Sequence, residues 1–111
     1  LLLELDRDVP GAASINAECR PPMDVLETAT AGEVVVDYAI RFRKELKGTL
    51  WPIGYANDVF AYIPSVRILK EGGYEALGSG IYYGIPGPFA ESVEELIDGK
   101  VKEMASKVQK P

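Results

Sequence analysis

The chain reads as a mixed α/β fold, a small sheet flanked by helices. Three observations predict it. An amphipathic helical pattern at 33–46 is followed within a few residues by an apolar run at 50–56, a second amphipathic stretch occupies 89–108, and Gly, Pro and Asn punctuate the intervals. At 111 residues, 47% hydrophobic and 26% charged, the chain fits one compact α/β unit with a modest core.

Residues 1–31 carry the weakest pattern and read as a leader to the better-patterned segment 32–111. Leu1–Leu5 predicts a first strand, Asp6–Gly11 a turn, and Arg20-Pro21-Pro22 excludes a helix interior. Residues 12–18 and 23–28 each fit either a short helix or an extended segment.

From Glu33 to Leu46, Val35, Tyr38, Ala39, Phe42 and Leu46 fall at helical spacing, while Asp37, Arg41, Lys44 and Glu45 take the other side. Thr30-Ala31-Gly32-Glu33 matches the Ser/Thr-x-x-Glu capping pattern, and Lys47-Gly48 supplies a cationic end and a stop. Leu50–Ala56 reads as a strand that Pro52 pushes toward an edge or a bulge. Asn57-Asp58 ends it, which puts the following residues on a loop at the strand's carboxyl end, where open α/β sheets keep their sites.

Ser65–Glu71 predicts a short helix capped by Ser65 and ended by Gly72-Gly73. Residues 79–83, with Ile81-Tyr82-Tyr83, predict a second strand, and Gly84–Pro88 a loop. The last helix, 89–108, carries Val93, Leu96, Ile97, Val101, Met104 and Val108 on one stripe. Its acids lie early and its lysines late, complementing the helix dipole, and Gly99 is its weak point.

Bulk properties exclude several classes. A net charge of −5 with scattered basic residues offers no surface for a phosphate backbone, so nucleic acid is not expected as a partner. Cys19 is the single cysteine, which rules out an internal disulfide framework and reads as a buried thiol. No apolar run reaches the ~20 residues of a membrane span. The abrupt apolar start without Met reads as an excised piece of a longer protein.

With no histidine, Ser14, Ser65, Ser79, Ser92 and Ser106 have no base for a catalytic triad, and none sits in a nucleophile elbow. Gly72-Gly73 and Gly78-Ser79-Gly80 miss the spacing of a phosphate loop. Two residues stand out: Glu33, directly after a glycine, and Tyr62, just beyond a strand end in a loop stiffened by Pro64. The plain alternatives are that Glu33 closes a capping box and Tyr62 is a half-buried aromatic with its hydroxyl in water.

At these residues the chain resembles the neutral/alkaline (non-lysosomal) ceramidase family, in the latter part of its amidase domain. The resemblance runs from Gly32 to the terminal helix and rests on an ordered series: Gly32-Glu33, Arg41-x-Arg43, Gly54-Tyr55-Ala56-Asn57, Tyr62, Gly73-Tyr74-Glu75 and Ile81-Tyr82-Tyr83-Gly84-x-Pro86. It is nearer to ceramidase-like bacterial proteins than to ceramidases assayed on sphingolipid.

The resemblance implies a fragment of a larger α/β hydrolase domain and a zinc-dependent amidase that cleaves the N-acyl amide of ceramide or a similar lipid-like substrate. Glu33 and Tyr62 would be the glutamate and tyrosine zinc ligands. The family's two histidine ligands, its catalytic serine and its arginine lie earlier in the domain, so this chain alone is expected to be inactive and to hold zinc weakly. The remainder of the amidase domain is then a partner, and the location is secreted, periplasmic or envelope. Self-association through an exposed sheet edge is a further expectation. The alternative is a non-catalytic binding or structural α/β module that keeps the fold without a metal site.

Overall fold

A computed structural model describes residues 25–108 of the chain. The strand expected at Leu1–Leu5, the 6–11 turn, residues 12–18 and Cys19 lie outside the described residues. Within them, β1 (Val25–Ala29), β2 (Glu33–Val34), α1 (Val36–Glu45), β3 (Thr49–Ile53), β4 (Tyr62–Ile63) and α2 (Val66–Glu71) are followed by a π-helical turn at Tyr74–Gly78, α3 (Gly80–Tyr83) and α4 (Ser92–Val108). The fold is mixed α/β, with two two-stranded parallel sheets, β1 with β3 and β2 with β4.

Parallel pairing needs a crossover, and α1 supplies it between β1 and β3. Val25 registers with Thr49 and Ala29 with Ile53, so the 23–28 stretch, open between helix and strand in the sequence, is extended at 25–29. Those residues fall in the stretch read as a leader, yet they form half of the first sheet. The Thr30 N–H donates to the Ile53 carbonyl at 2.9 Å, so Ile53 faces β1 and Pro52 turns its missing donor away from it. β3 stops at Ile53 rather than Ala56, because Tyr55 and Asn57 take positive φ values of 58° and 66°.

The first helix begins at Val36, three residues after the expected Glu33. Backbone groups ahead of it are engaged in the sheet: the Glu33 N–H donates to the Ala61 carbonyl at 2.8 Å and the Val35 N–H to Ile63 at 3.3 Å. Three consecutive valines, stiff at χ1, favour that extended path. The expected capping box does not form. Val35 is the cap residue and makes no side-chain cap bond, while the Thr30 hydroxyl donates to the Ile53 carbonyl at 3.2 Å.

The strand expected at 79–83 is absent; the chain winds there instead. Local bonds, Ser79 N–H to Tyr74 at 2.8 Å, Tyr82 N–H to Ser79 at 3.0 Å and Ile85 N–H to Gly80 at 2.9 Å, take the backbone groups a ladder would have used. Among the described residues no strand pairs with this stretch, and aromatic strand propensity yields to the local bonds. The sheet strands are therefore β1 to β4: the strand expected at 50–56 is present as β3, and 79–83 contributes none.

α2 matches its expectation: Ser65 caps it by accepting from the Ile68 N–H, and Gly72 ends it at φ 75°. α4 buries Ile97, Val101, Met104 and Ala105, but Leu96 is 66% exposed and leaves the expected stripe. The core joins Tyr38 and Phe42 of α1 to Ala61, Ile63, Ile97, Val101 and Met104. Burial pushes the Tyr38 phenol well above its ordinary range, and its hydroxyl donates to the Pro64 carbonyl at 3.0 Å.

A charged seam closes the same helices. Arg41 on α1 reaches Glu94 at 3.2 Å, Glu95 at 2.9 Å and Asp98 at 3.0 Å, all on α4. Lys102 also bonds Asp98, at 2.7 Å, and the Asp98 side chain is only 4% exposed. The Glu94 carboxylate accepts the Val66 N–H at 2.6 Å, so α4 also holds the start of α2. Arg41→Ala is expected to lower stability by about 2 kcal/mol, because one of two cations leaves a buried carboxylate; urea unfolding measures this, and Arg41→Lys should recover only part of the loss.

Gly32 (φ +80°) joins β1 to β2, and a Cβ there would lie 2.9 Å from Ile63 Cγ1 and 3.0 Å from the Ala61 carbonyl oxygen. Gly72 has a similar φ of +75° with nothing within 4 Å. Gly32→Ala should therefore cost about 2–4 kcal/mol, backbone strain plus overpacking, against about 1–2 kcal/mol for Gly72→Ala. Equal unfolding midpoints for the two variants would contradict this.

Candidate functional site

Glu33 and Tyr62 are direct partners in the β2–β4 ladder. Registered residues of a parallel pair project to the same side, so the carboxylate and the phenol share one face. Both side chains are half-buried. Glu33 is thus a strand residue rather than a helix cap, and Tyr62 belongs to a strand rather than the loop expected for it.

Three anchors hold Tyr62 in place. Ile63 beside it is 1% exposed, and the Pro64 carbonyl that follows is bonded by Tyr38. Ser65 then donates to Asp37 at the start of α1, and Arg67 donates to both Asp37 oxygens at 3.0 Å. Hydrogen bonds from Arg67 first and Ser65 second hold the Asp37 carboxyl below the usual carboxylate range. Ser65, 1% exposed, serves as cap and clamp, accepting from the Ile68 N–H while it donates to Asp37.

Around the pair lies a cluster that contains every tyrosine except Tyr38. The Tyr62 and Tyr74 rings meet edge to face with centroids 5.5 Å apart, and Tyr82 follows at 6.5 Å from Tyr74. Hydrogen bonding to the Glu33 carboxylate, with desolvation second, pushes the Tyr62 phenol up to about 12. The same two causes raise Tyr55, which also feels Tyr83. One carboxylate therefore governs two phenols. Tyr55 was not singled out from sequence, since its role depends on a left-handed backbone that helical or strand periodicity does not encode.

Glu33 and Tyr62 are two hard oxygen donors side by side, the kind of set zinc accepts beside imidazole. Among the described residues no group of three or more His, Cys, Asp and Glu side chains could hold a metal ion. The pair supplies two oxygen donors, fewer than a closed four-coordinate zinc site requires. Among the described residues no helix is long and apolar enough to cross a membrane. Compared with known proteins, the chain matches no family model, no curated protein and no solved structure.

The Tyr62 shift has a defined sign. A neutral phenol is favoured in the folded state, so its stabilising effect is present below about pH 10 and is lost as pH rises toward 12. Subtracting the titration of Tyr62→Phe from that of wild type should isolate a phenol ionising near 12. Glu33→Gln should bring it down toward 10; an unmoved midpoint would remove the carboxylate as the cause.

Proposed function

We propose that this chain forms one wall of the active site in a zinc-dependent amidase of the neutral ceramidase type, as part of a larger α/β hydrolase domain. The observation that carries the reading is the Glu33–Tyr62 register, which sets a carboxylate and a phenol on one face beside the loop that follows β3. The substrate class is the N-acyl amide of ceramide or a similar lipid-like molecule. The enzyme belongs in a secreted, periplasmic or envelope location, and the remainder of the amidase domain is this chain's partner.

In this reading Glu33 and Tyr62 hold two of the four zinc positions, and imidazoles and a reacting serine come from that remainder. A bound zinc supplies Lewis acidity toward the amide carbonyl. The chain's own contribution is placement. β2 and β4 hold the two oxygens, and Asp37, Ser65 and Arg67 keep β4 from shifting relative to α1. Tyr62 must release its proton to become a ligand, and Glu33 opposes that release. Zinc uptake should therefore eject a proton and strengthen with rising pH.

A second reading is favoured by the same contacts. Glu33 and its two phenols satisfy one another without any ion, as a structural or binding module would require. Zinc content and N-acyl amide hydrolysis, measured on the complete polypeptide of the source gene, separate the two. Under the amidase reading, Glu33→Gln and Tyr62→Phe each lower zinc affinity and hydrolysis by about 100-fold or more. Unchanged zinc in both variants would leave the structural module.

A further inference from the structure

The tyrosine cluster around Glu33 is open to solvent. Tyr55, Tyr74 and Tyr82 are 57%, 52% and 80% exposed, while Tyr62 and Glu33 are half-buried rather than closed off. The Tyr62 and Tyr74 planes cross at 75° and those of Tyr74 and Tyr82 at 52°, so neither pair is stacked. An edge-to-face contact covers one ring face and leaves the rest available, which a parallel stack would not.

The charge around these rings has one sign. Residues 25–40, 48–66 and 72–90, which supply the whole cluster, contain no lysine or arginine, yet they contain Glu27, Glu33, Asp37, Asp58 and Glu75. Ion pairs among the described residues run along α1, α2 and α4, and none includes Glu33. Its carboxylate is bonded by the Tyr55 and Tyr62 phenols, which are neutral donors and leave its charge uncompensated. The ring faces carry the negative side of their quadrupole, so carboxylate and rings attract a cation together.

Donor count selects the kind of cation. A primary ammonium brings three N–H groups that need acceptors, and two phenols already occupy part of the carboxylate's capacity. A quaternary ammonium has no donor to satisfy and is held by ring faces and a nearby negative charge. We propose that Glu33, with Tyr55, Tyr62, Tyr74 and Tyr82, binds a trimethylammonium group such as that of free choline. A phosphocholine headgroup carries the same cation, but its phosphate would face an acidic surface with no base to hold it. The site shares Glu33 and Tyr62 with the amidase reading and goes beyond it, using neutral phenols and no metal, so failure here leaves the zinc measurement untouched.

The test is a titration of the 111-residue chain with choline, with EDTA present to keep zinc out, followed by amide chemical shifts. Saturable shifts should centre on Glu33, Tyr55, Tyr62, Tyr74 and Tyr82. The uncharged analogue with a tert-butyl group in place of trimethylammonium should bind about tenfold more weakly or not at all, and Glu33→Gln should weaken choline about tenfold. Tyr74→Leu and Tyr82→Leu should each weaken it about two- to fivefold. Ethanolamine and phosphocholine should both bind more weakly than choline. No saturation, shifts centred elsewhere, unchanged affinity in Glu33→Gln, or any of the three analogues matching choline would overturn the proposal. Should Glu33→Gln not fold, the ligand series on the wild-type chain and Tyr82→Leu, whose side chain is mostly in solvent, decide it.

Discussion

The splice at Gly32 is the constraint on which the rest depends. Its N–H donates to the Asp58 carbonyl at 2.7 Å and its own carbonyl accepts the Tyr55 N–H at 3.0 Å. Those two bonds lash the loop after β3 to the segment between β1 and β2. From there β4 meets β2 with Glu33 opposite Tyr62, and not one residue earlier or later. A shift of one residue would send the phenol to the opposite face. A positive φ and a crowded Cβ position together make glycine the residue that satisfies both demands.

Two kinds of interaction then keep the helices around that splice. The apolar contacts of Tyr38 and Phe42 with α4 supply non-directional cohesion, while Arg41 and Asp98 fix how α1 and α4 meet. The Asp37, Ser65 and Arg67 group adds a shorter tie between α1 and the start of α2. Ile63, next to Tyr62, packs in the first of these contacts and Ser65, three residues on, belongs to the second, so both steady the strand that carries the candidate site.

What sequence could disclose follows from the range of each signal. α2 was legible in full, because a serine cap and a double glycine act within a few residues. The body of α1 and the buried face of α4 were legible because helical spacing repeats over several turns. The start of α1 was not: Thr30 and Glu33 have the chemistry of a capping box, but both are drawn into bonds with residues more than twenty positions away. The 79–83 strand failed for the converse reason, as Ile81 and Tyr82 have strand propensity but, among the described residues, no strand pairs with them. Glu33 and Tyr62 could be picked out as unusual residues. Their adjacency is a property of pairing across 29 positions, which no local pattern carries.

Pro52 has a bearing on how copies of this molecule would meet. Its nitrogen lies on the side of β3 that faces away from β1, where an incoming strand would look for a donor and find a ring. A ladder built on that side would lack one hydrogen bond, at the fourth residue of the strand. A second copy that paired along β3 would therefore form its ladder with one bond fewer at Pro52 than an all-donor edge provides.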